Sequence, residues 1–132
     1  FQSHFGMKRD DEVEQLAMDA AMEFERKDGW TPEDVGSQNL GYDVRSKNSD
    51  GIKRYIEVKG RSSDGGVMLS ENEMNRLAQL GEKAWLYVVT NCSTDPKLHR
   101  IHDPANRINF EKLDKGVQYL ATKEHWIKHS IS

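Results

Sequence analysis

Tyr42-Asp43-Val44-Arg45 and Tyr55-Ile56-Glu57-Val58-Lys59-Gly60-Arg61 decide the reading of this chain. Both runs alternate apolar and polar residues, the period-2 pattern of half-buried strands. Between them lies Lys47-Asn48-Ser49-Asp50-Gly51, a turn signal with Gly51 where a left-handed residue belongs. The two runs therefore predict one antiparallel hairpin. A three-residue loop, Ser49-Asp50-Gly51, with Gly51 forming a bulge, pairs Asn48 with Ile52. Val44 then faces Ile56, Tyr42 faces Val58 and Asp43 faces Glu57. A two-residue Asp50-Gly51 loop sets Val44 against Glu57 instead. That mixes charged and apolar side chains on both faces, so the hydrophobic pattern rejects it.

In the bulged register Tyr42, Val44, Ile56 and Val58 point to the core, while Asp43, Glu57 and Lys59 share the other face. Directly opposed residues carry Cβ atoms roughly 4.5–5.5 Å apart, and Lys59 lies about 6.6 Å along the strand from Glu57. Two like charges placed opposite each other destabilise a sheet unless positive charge stands between them. Two arrangements supply that charge. One is a surface charge ladder in which Lys59 and Arg45 neutralise both carboxylates. The other is a divalent cation, since hard cations take carboxylate oxygens.

The same residues carry a resemblance. Asp43 followed by Glu57-Val58-Lys59 resembles the Asp…(Asp/Glu)-X-Lys signature of the PD-(D/E)XK nuclease superfamily. Gly41-Tyr42-Asp43-Val44-Arg45, then Tyr55-Ile56-Glu57-Val58-Lys59-Gly60, then Trp85-Leu86-Tyr87-Val88-Val89 is similar to one group within it. That group is the domain named after the C-terminus of protein NO VEIN, often attached to helicase-like and restriction-type proteins. The resemblance covers roughly residues 12–103 and implies an α/β fold with a restriction-endonuclease-like core, a mixed sheet flanked by helices. It further implies a DNA endonuclease dependent on Mg²⁺ or Mn²⁺. The metal would sit on Asp43 and Glu57 with the backbone carbonyl of Val58, and Lys59 would serve beside the reacting water. Many superfamily members add a glutamate from the first helix. Met18 holds that place here, with Asp19 after it and Glu14 one turn before. Tyr42 stands where the signature has proline. Two rival readings stay open: a nucleic-acid-binding module without turnover, and a protein-interaction domain of a larger helicase- or restriction-type protein.

Composition bounds these readings. With 132 residues, 36% hydrophobic and 31% charged, and a net charge of −3, the chain predicts one soluble globular domain with a single core. No apolar run approaches the roughly 20 residues of a membrane span. Cys92 is the one cysteine, which excludes a disulfide scaffold and a cysteine zinc site and points to the reducing cytoplasm. Phe1-Gln2-Ser3 reads as the remnant of a cleavable tag. Residues 1–6 are therefore set aside, and 7–132 are expected to form one domain of a larger protein.

Charge is uneven along the chain. Acidic residues dominate from Met7 to Asp43, whereas Arg45, Lys47, Lys53, Arg54, Lys59 and Arg61 outweigh Asp50 and Glu57. A phosphate backbone would lie on such a patch, through Arg45, Lys53, Arg54 and Arg61. Basic residues also protect a sheet edge from aggregation.

The rest of the chain predicts the surrounding elements. Asp11 and Glu14 have the spacing of a capping box, and Val13, Leu16, Ala17, Ala20, Ala21 and Phe24 form an apolar helical stripe that Gly29 ends. An edge strand is expected near Val35. Arg61-Ser62-Ser63-Asp64-Gly65-Gly66 reads as a linker or a mobile lid. Val67-Met68-Leu69 predicts a short strand, and Ser70 with Glu73 a second capping box before a helix. Trp85-Leu86-Tyr87-Val88-Val89-Thr90 predicts a strand buried on both faces. Residues 97–102 read as a strand and 103–113 as a short helix that Gly116 breaks. Residues 117–120 fit a strand, and 122–128 a short helix or second strand. His125 and His129 sit four apart without a third metal ligand.

Overall fold

The computed structural model describes residues 10–113 and 118–131. The tag reading of residues 1–6, the helix break at Gly116 and the strand start at Val117 lie outside the described residues. The chain runs α1 (Asp10–Lys27), β1 (Thr31–Asp34), β2 (Val44–Lys47), β3 (Lys53–Gly60), β4 (Val67–Ser70), α2 (Glu71–Leu80) and β5 (Ala84–Thr90). It continues through β6 (Lys97–His102), α3 (Pro104–Arg107), β7 (Glu111–Leu113), β8 (Gln118–Ala121), α4 (Lys123–Ile127) and β9 (Ser130–Ile131).

Six strands form the main sheet in the order β1-β2-β3-β5-β6-β9. It is mixed: β3 and β5 run parallel, and the other neighbours pair antiparallel. Three strands, β4-β8-β7, form a second small sheet. The hairpin has the bulged register, with Val44 opposite Ile56 and Lys47 opposite Lys53. Asn48 N donates to Ile52 O at 3.0 Å, and Gly51 closes the loop with φ +81°. The Asn48 side chain accepts from the N–H groups of Asp50 and Ile52, which fixes the loop from inside.

A parallel β3–β5 pair needs a crossover, and here β4 and α2 supply it. That crossover covers the sheet face opposite α1. On the α1 side Val13, Ala17 and Ala21 pack against Val44, Ile56, Val58, Tyr87 and Val89. On the α2 side Leu69 and Leu77 pack against Leu86, Val88, Ile101 and Trp126. Alternate residues of β5 enter the two cores, so this strand is buried on both faces as its composition predicts. Helix α1 lies close to β3: a Cβ on Gly60 would stand 2.9 Å from Ala17 Cβ. Small side chains on both partners permit that contact. Among the described residues no helix is long and apolar enough to cross a membrane.

Four expectations change. The Asp11–Glu14 capping box does not form, because Asp11 already lies inside α1. Residues 103–113 hold only the four-residue helix α3, followed by β7, which finds a partner in β8. Tyr42 does not face Val58 in the ladder, since β2 begins at Val44; its buried ring packs edge-on against Tyr55. The 61–66 segment is tied down rather than free. Arg61, Ser62 and Ser63 exchange backbone hydrogen bonds with residues 89–93, Asp64 pairs with Lys123, and Trp126 Nε1 donates to Gly65 O.

Candidate functional site

The site begins where the hairpin ladder ends. Gly41 has φ +86°, and a Cβ there would lie 2.7 Å from Arg76 Cβ, so glycine lets the chain pass beneath α2. Asp43 N then donates to Ile56 O at 2.9 Å, while Asp43 O accepts from Val35 N at 2.8 Å. Past this point the β2 side of β3 has no strand. Asp43 Oδ2 accepts from Val58 N at 2.9 Å, in the place of a backbone carbonyl. The carboxylate is thus held by main chain, and the Val58 peptide group faces it.

Glu57 follows from the same alternation but ends in a different environment from the one expected. It is only 1% exposed, because α2 and the Leu40–Gly41–Tyr42 turn roof this face of β3. Expectation placed it on a half-open surface; the crossover closes that surface. Its Oε2 lies 3.2 Å from Lys59 Nζ. Its Oε1 is buried without a hydrogen-bond partner. Glu57 lines a small cavity of about 150 Å³ together with Gly36, Asp43, Ser70, Asn72 and Glu73. Asp43 and Glu57 come within hydrogen-bonding reach of each other, so the predicted pair is brought together by side chains although not by a ladder rung.

Glu73 is the residue that sequence reasoning missed. The capping-box spacing fixed its position at the start of α2 but not what it faces. Its Oε1 accepts from Lys59 Nζ at 3.0 Å, so the ammonium is held between two carboxylates.

These contacts set the charge states. Burial and then the Asp43 carboxylate push Glu57 well above the usual range for a glutamate. Burial also raises Asp43, against the opposing pull of the Val58 N–H and Lys59. Burial alone would lower Lys59, yet Glu57 and Glu73 outweigh it and hold the ammonium above its ordinary value. Glu73 is likewise raised by burial, but Lys59 and the Ser70 N–H together bring it below its ordinary value. The group sets three carboxyl groups around one ammonium.

Beside Asp43 a second, wider cleft of about 540 Å³ is lined by Glu14, Met18, Asp34, Gly36 and Ser37. Met18 therefore does border Asp43 from α1, with Glu14 nearby. A Cβ on Gly36 would lie 3.2 Å from Asp34 Oδ1 and 3.6 Å from Asp43 Oδ1, so the bare glycine leaves the space between those oxygens open. Among the described residues, no three of His, Cys, Asp and Glu converge in a metal-holding group.

The cations expected to meet a phosphate backbone separate into distinct roles. Arg54 points to the α1 side, where Nη1 lies 2.9 Å from Oε2 of the fully buried Glu25 and 3.2 Å from Asp28. Its guanidinium also stacks on Trp30, 3.7 Å from the ring centre. This corrects the expectation of a free surface cation: the α1 face has a buried carboxylate that needs it. Arg45 pairs with Glu33 at 3.1 Å, and Arg61 reaches back to Asp64 O. Lys53 is exposed and stands opposite Lys47 on the same sheet face as Glu57. No ion pair joins either lysine to another described residue, so Lys47 joins Lys53 as a phosphate candidate.

Fold and site together define an α/β domain in which one strand presents a buried carboxylate and a lysine beside a hairpin aspartate. Residues 13–101 match the family model described as Protein NO VEIN, C-terminal, and the chain belongs to that family. No curated protein and no solved structure gives a significant match.

Proposed function

We infer that this domain is a metal-dependent DNA endonuclease of the PD-(D/E)XK, restriction-endonuclease-like type, belonging to a larger helicase- or restriction-type protein. One observation carries the reading. Asp43 and Glu57 each spend one oxygen inside the protein, on Val58 N and on Lys59, while Glu57 Oε1 is buried with no donor and the other carboxyl groups beside Glu57 are Asp43 and Glu73. A buried carboxylate oxygen without a partner costs about 1–3 kcal/mol or more, which a folded protein retains where a ligand satisfies it. The open space at Gly36 beside Asp43 Oδ1 fits the same ligand, and carboxylate oxygens suit a hard cation.

Asp43, Glu57 and the backbone carbonyl of Val58 are the residues that would hold Mg²⁺ or Mn²⁺. Bound there, such an ion would supply an acidified water and charge to offset that on a phosphodiester. The protein's own part is orientation. The Val58 N–H fixes Asp43, burial keeps water from competing for Glu57, and Lys59 presents an ammonium to the negative charge that grows on the phosphate. Lys47 and Lys53 lie on the same face, where they would meet the phosphate backbone farther along the substrate.

Labelled single- and double-stranded oligonucleotides, incubated with the protein and Mg²⁺ or Mn²⁺, test this. Slow cleavage is expected, abolished by Asp43→Asn, Glu57→Gln and Lys59→Met while each variant stays folded. Undiminished cleavage by Glu57→Gln and Lys59→Met overturns the assignment. DNA binding without cleavage under any condition replaces it with a binding module, the reading that Met18 at the helix position favours.

A further inference from the structure

Glu73 does two things with one atom. Its Oε1 accepts from Ser70 N at 2.8 Å, closing the α2 capping box, and accepts from Lys59 Nζ at 3.0 Å. The reciprocal half of the box runs from Glu73 N to Ser70 Oγ at 3.1 Å. In an exposed capping box the glutamate serves the backbone and water. Here it reaches under α2 to the centre of the candidate site.

Lys59 has a choice of surroundings. On one side lie Glu57 and Glu73; on the other a cavity of about 300 Å³ is lined by Arg61, Val67, Met68 and Leu120. A flexible four-carbon side chain takes whichever side binds its charge. Glu57 alone is a poor anchor, because a divalent ion competes with the ammonium for the same carboxylate. Glu73 already spends its Oε1 on Lys59 and on Ser70 N, and its hold on Ser70 N fixes its own position.

We propose that Glu73 is the positioning residue of this site, holding Lys59 against Glu57 and supplying from the α2 cap the third negative charge that Met18 does not. In an ion-bound form, with Asp43, Glu57 and Glu73 ionised against Lys59, two negative charges would remain in excess for one divalent ion to balance. Glu73 acts through Lys59 rather than as a ligand, because its Oε1 is taken by Lys59 and by Ser70 N. The proposal rests on the metal reading above.

Two variants separate capping from positioning. Glu73→Gln keeps an Oε1 that accepts from Ser70 N but removes the negative charge that faces Lys59. Ser70→Ala breaks the other half of the box and leaves the Glu73 contacts in place. Mn²⁺ titration of the whole chain by calorimetry, with a thermal melt of each variant, reads the difference. Glu73→Gln is expected to melt near the wild type and to bind Mn²⁺ about tenfold more weakly, since the lost charge lies in a poorly screened site. Ser70→Ala is expected to melt lower and to bind Mn²⁺ as the wild type does. Wild-type affinity in Glu73→Gln overturns the proposal alone. An absence of Mn²⁺ binding by the wild type overturns the metal reading and this proposal with it. Equal weakening in both variants also overturns it, because the loss then belongs to the helix cap.

Discussion

Replacing Glu57 by glutamine should make the metal-free protein more stable. The substitution keeps the side-chain volume, turns its carbonyl toward Lys59, sets its NH2 where Oε1 now stands, and removes one of the carboxylates crowded around a single ammonium. Glu57 is 1% exposed, and its Oε1 has no hydrogen-bond partner. Leaving such an acceptor unsatisfied costs about 1–3 kcal/mol. Against that gain stands the lost attraction to Lys59 at 3.2 Å, about 1 kcal/mol as for a partly exposed pair, because the Lys59 side chain is 24% exposed and keeps Glu73 at 3.0 Å. The new amide also donates where two carboxylates face it. The net expectation is a stabilisation of about 1 kcal/mol, a rise in Tm of about 3–5 °C for a domain of this size.

Ion and pH provide the internal controls. An ion bound by the wild type at about a hundred times its Kd adds about 2.7 kcal/mol, so Mg²⁺ or Mn²⁺ should reverse the order of the two proteins. The sign of the pH effect follows from linkage. The folded value of Glu57 lies well above the ordinary 4.5, so the folded state binds more protons there than the unfolded state. Stability from this group is complete below 4.5 and is lost as pH rises through its folded value. Asp43 acts in the same direction; Glu73, shifted downward, opposes them by losing its contribution as pH falls. Glu57 carries the largest displacement, so the wild type should gain stability on mild acidification and Glu57→Gln should respond less. Circular-dichroism melts in chelator and in Mg²⁺, from pH 5 to 8, measure all of this. A glutamine variant at least 1 kcal/mol less stable than the wild type in chelator refutes the reasoning, since the Lys59–Glu57 pair would then be holding the fold together.

The two sets of cations should respond differently. Lys47→Ala with Lys53→Ala should leave Tm within about 2 °C of the wild type. It should lower DNA affinity for all sequences alike and reduce the salt slope of binding to duplex DNA by about 1.8, as loss of two phosphate contacts requires; an unchanged slope assigns both lysines to solubility. Arg54→Ala should instead cost about 3 kcal/mol in chemical denaturation, because among the described residues Glu25 would keep only the Tyr87 OH as a side-chain partner in a fully buried place. Gly60→Ala should cost about 1–3 kcal/mol by overpacking, as the added Cβ would meet Ala17 Cβ at 2.9 Å and Val13 O at 3.0 Å. A neutral result in the same denaturation assay would mean that α1 can move off β3.

The sequence by itself determined the features that depend on neighbours a few residues apart. The hairpin register is one, because alternation over Val44, Ile56 and Val58 leaves a single pairing that keeps charge off the core face. The α1 stripe of Val13, Ala17 and Ala21 and the Ser70–Glu73 cap are others, fixed by helical spacing and by two hydrogen bonds within one turn. Asp43, Glu57 and Lys59 were legible as a group for the same reason, being set by strand period and one short loop.

Tertiary structure alone decided what surrounds them. Nothing local tells Glu57 that it will be buried. That follows from the parallel pairing of β3 with β5, which obliges the chain to cross over and lay α2 on the charged face. The same crossover brings Glu73 to Lys59, and α1 packing brings Glu25 to Arg54 across 29 residues. Residues 111–113 likewise become β7 because β8 offers them a ladder, whatever their own propensity. Side-chain period is written in the sequence because it repeats within a strand or a turn. A buried charge finds its partner only after distant segments have packed, and no periodicity encodes that distance.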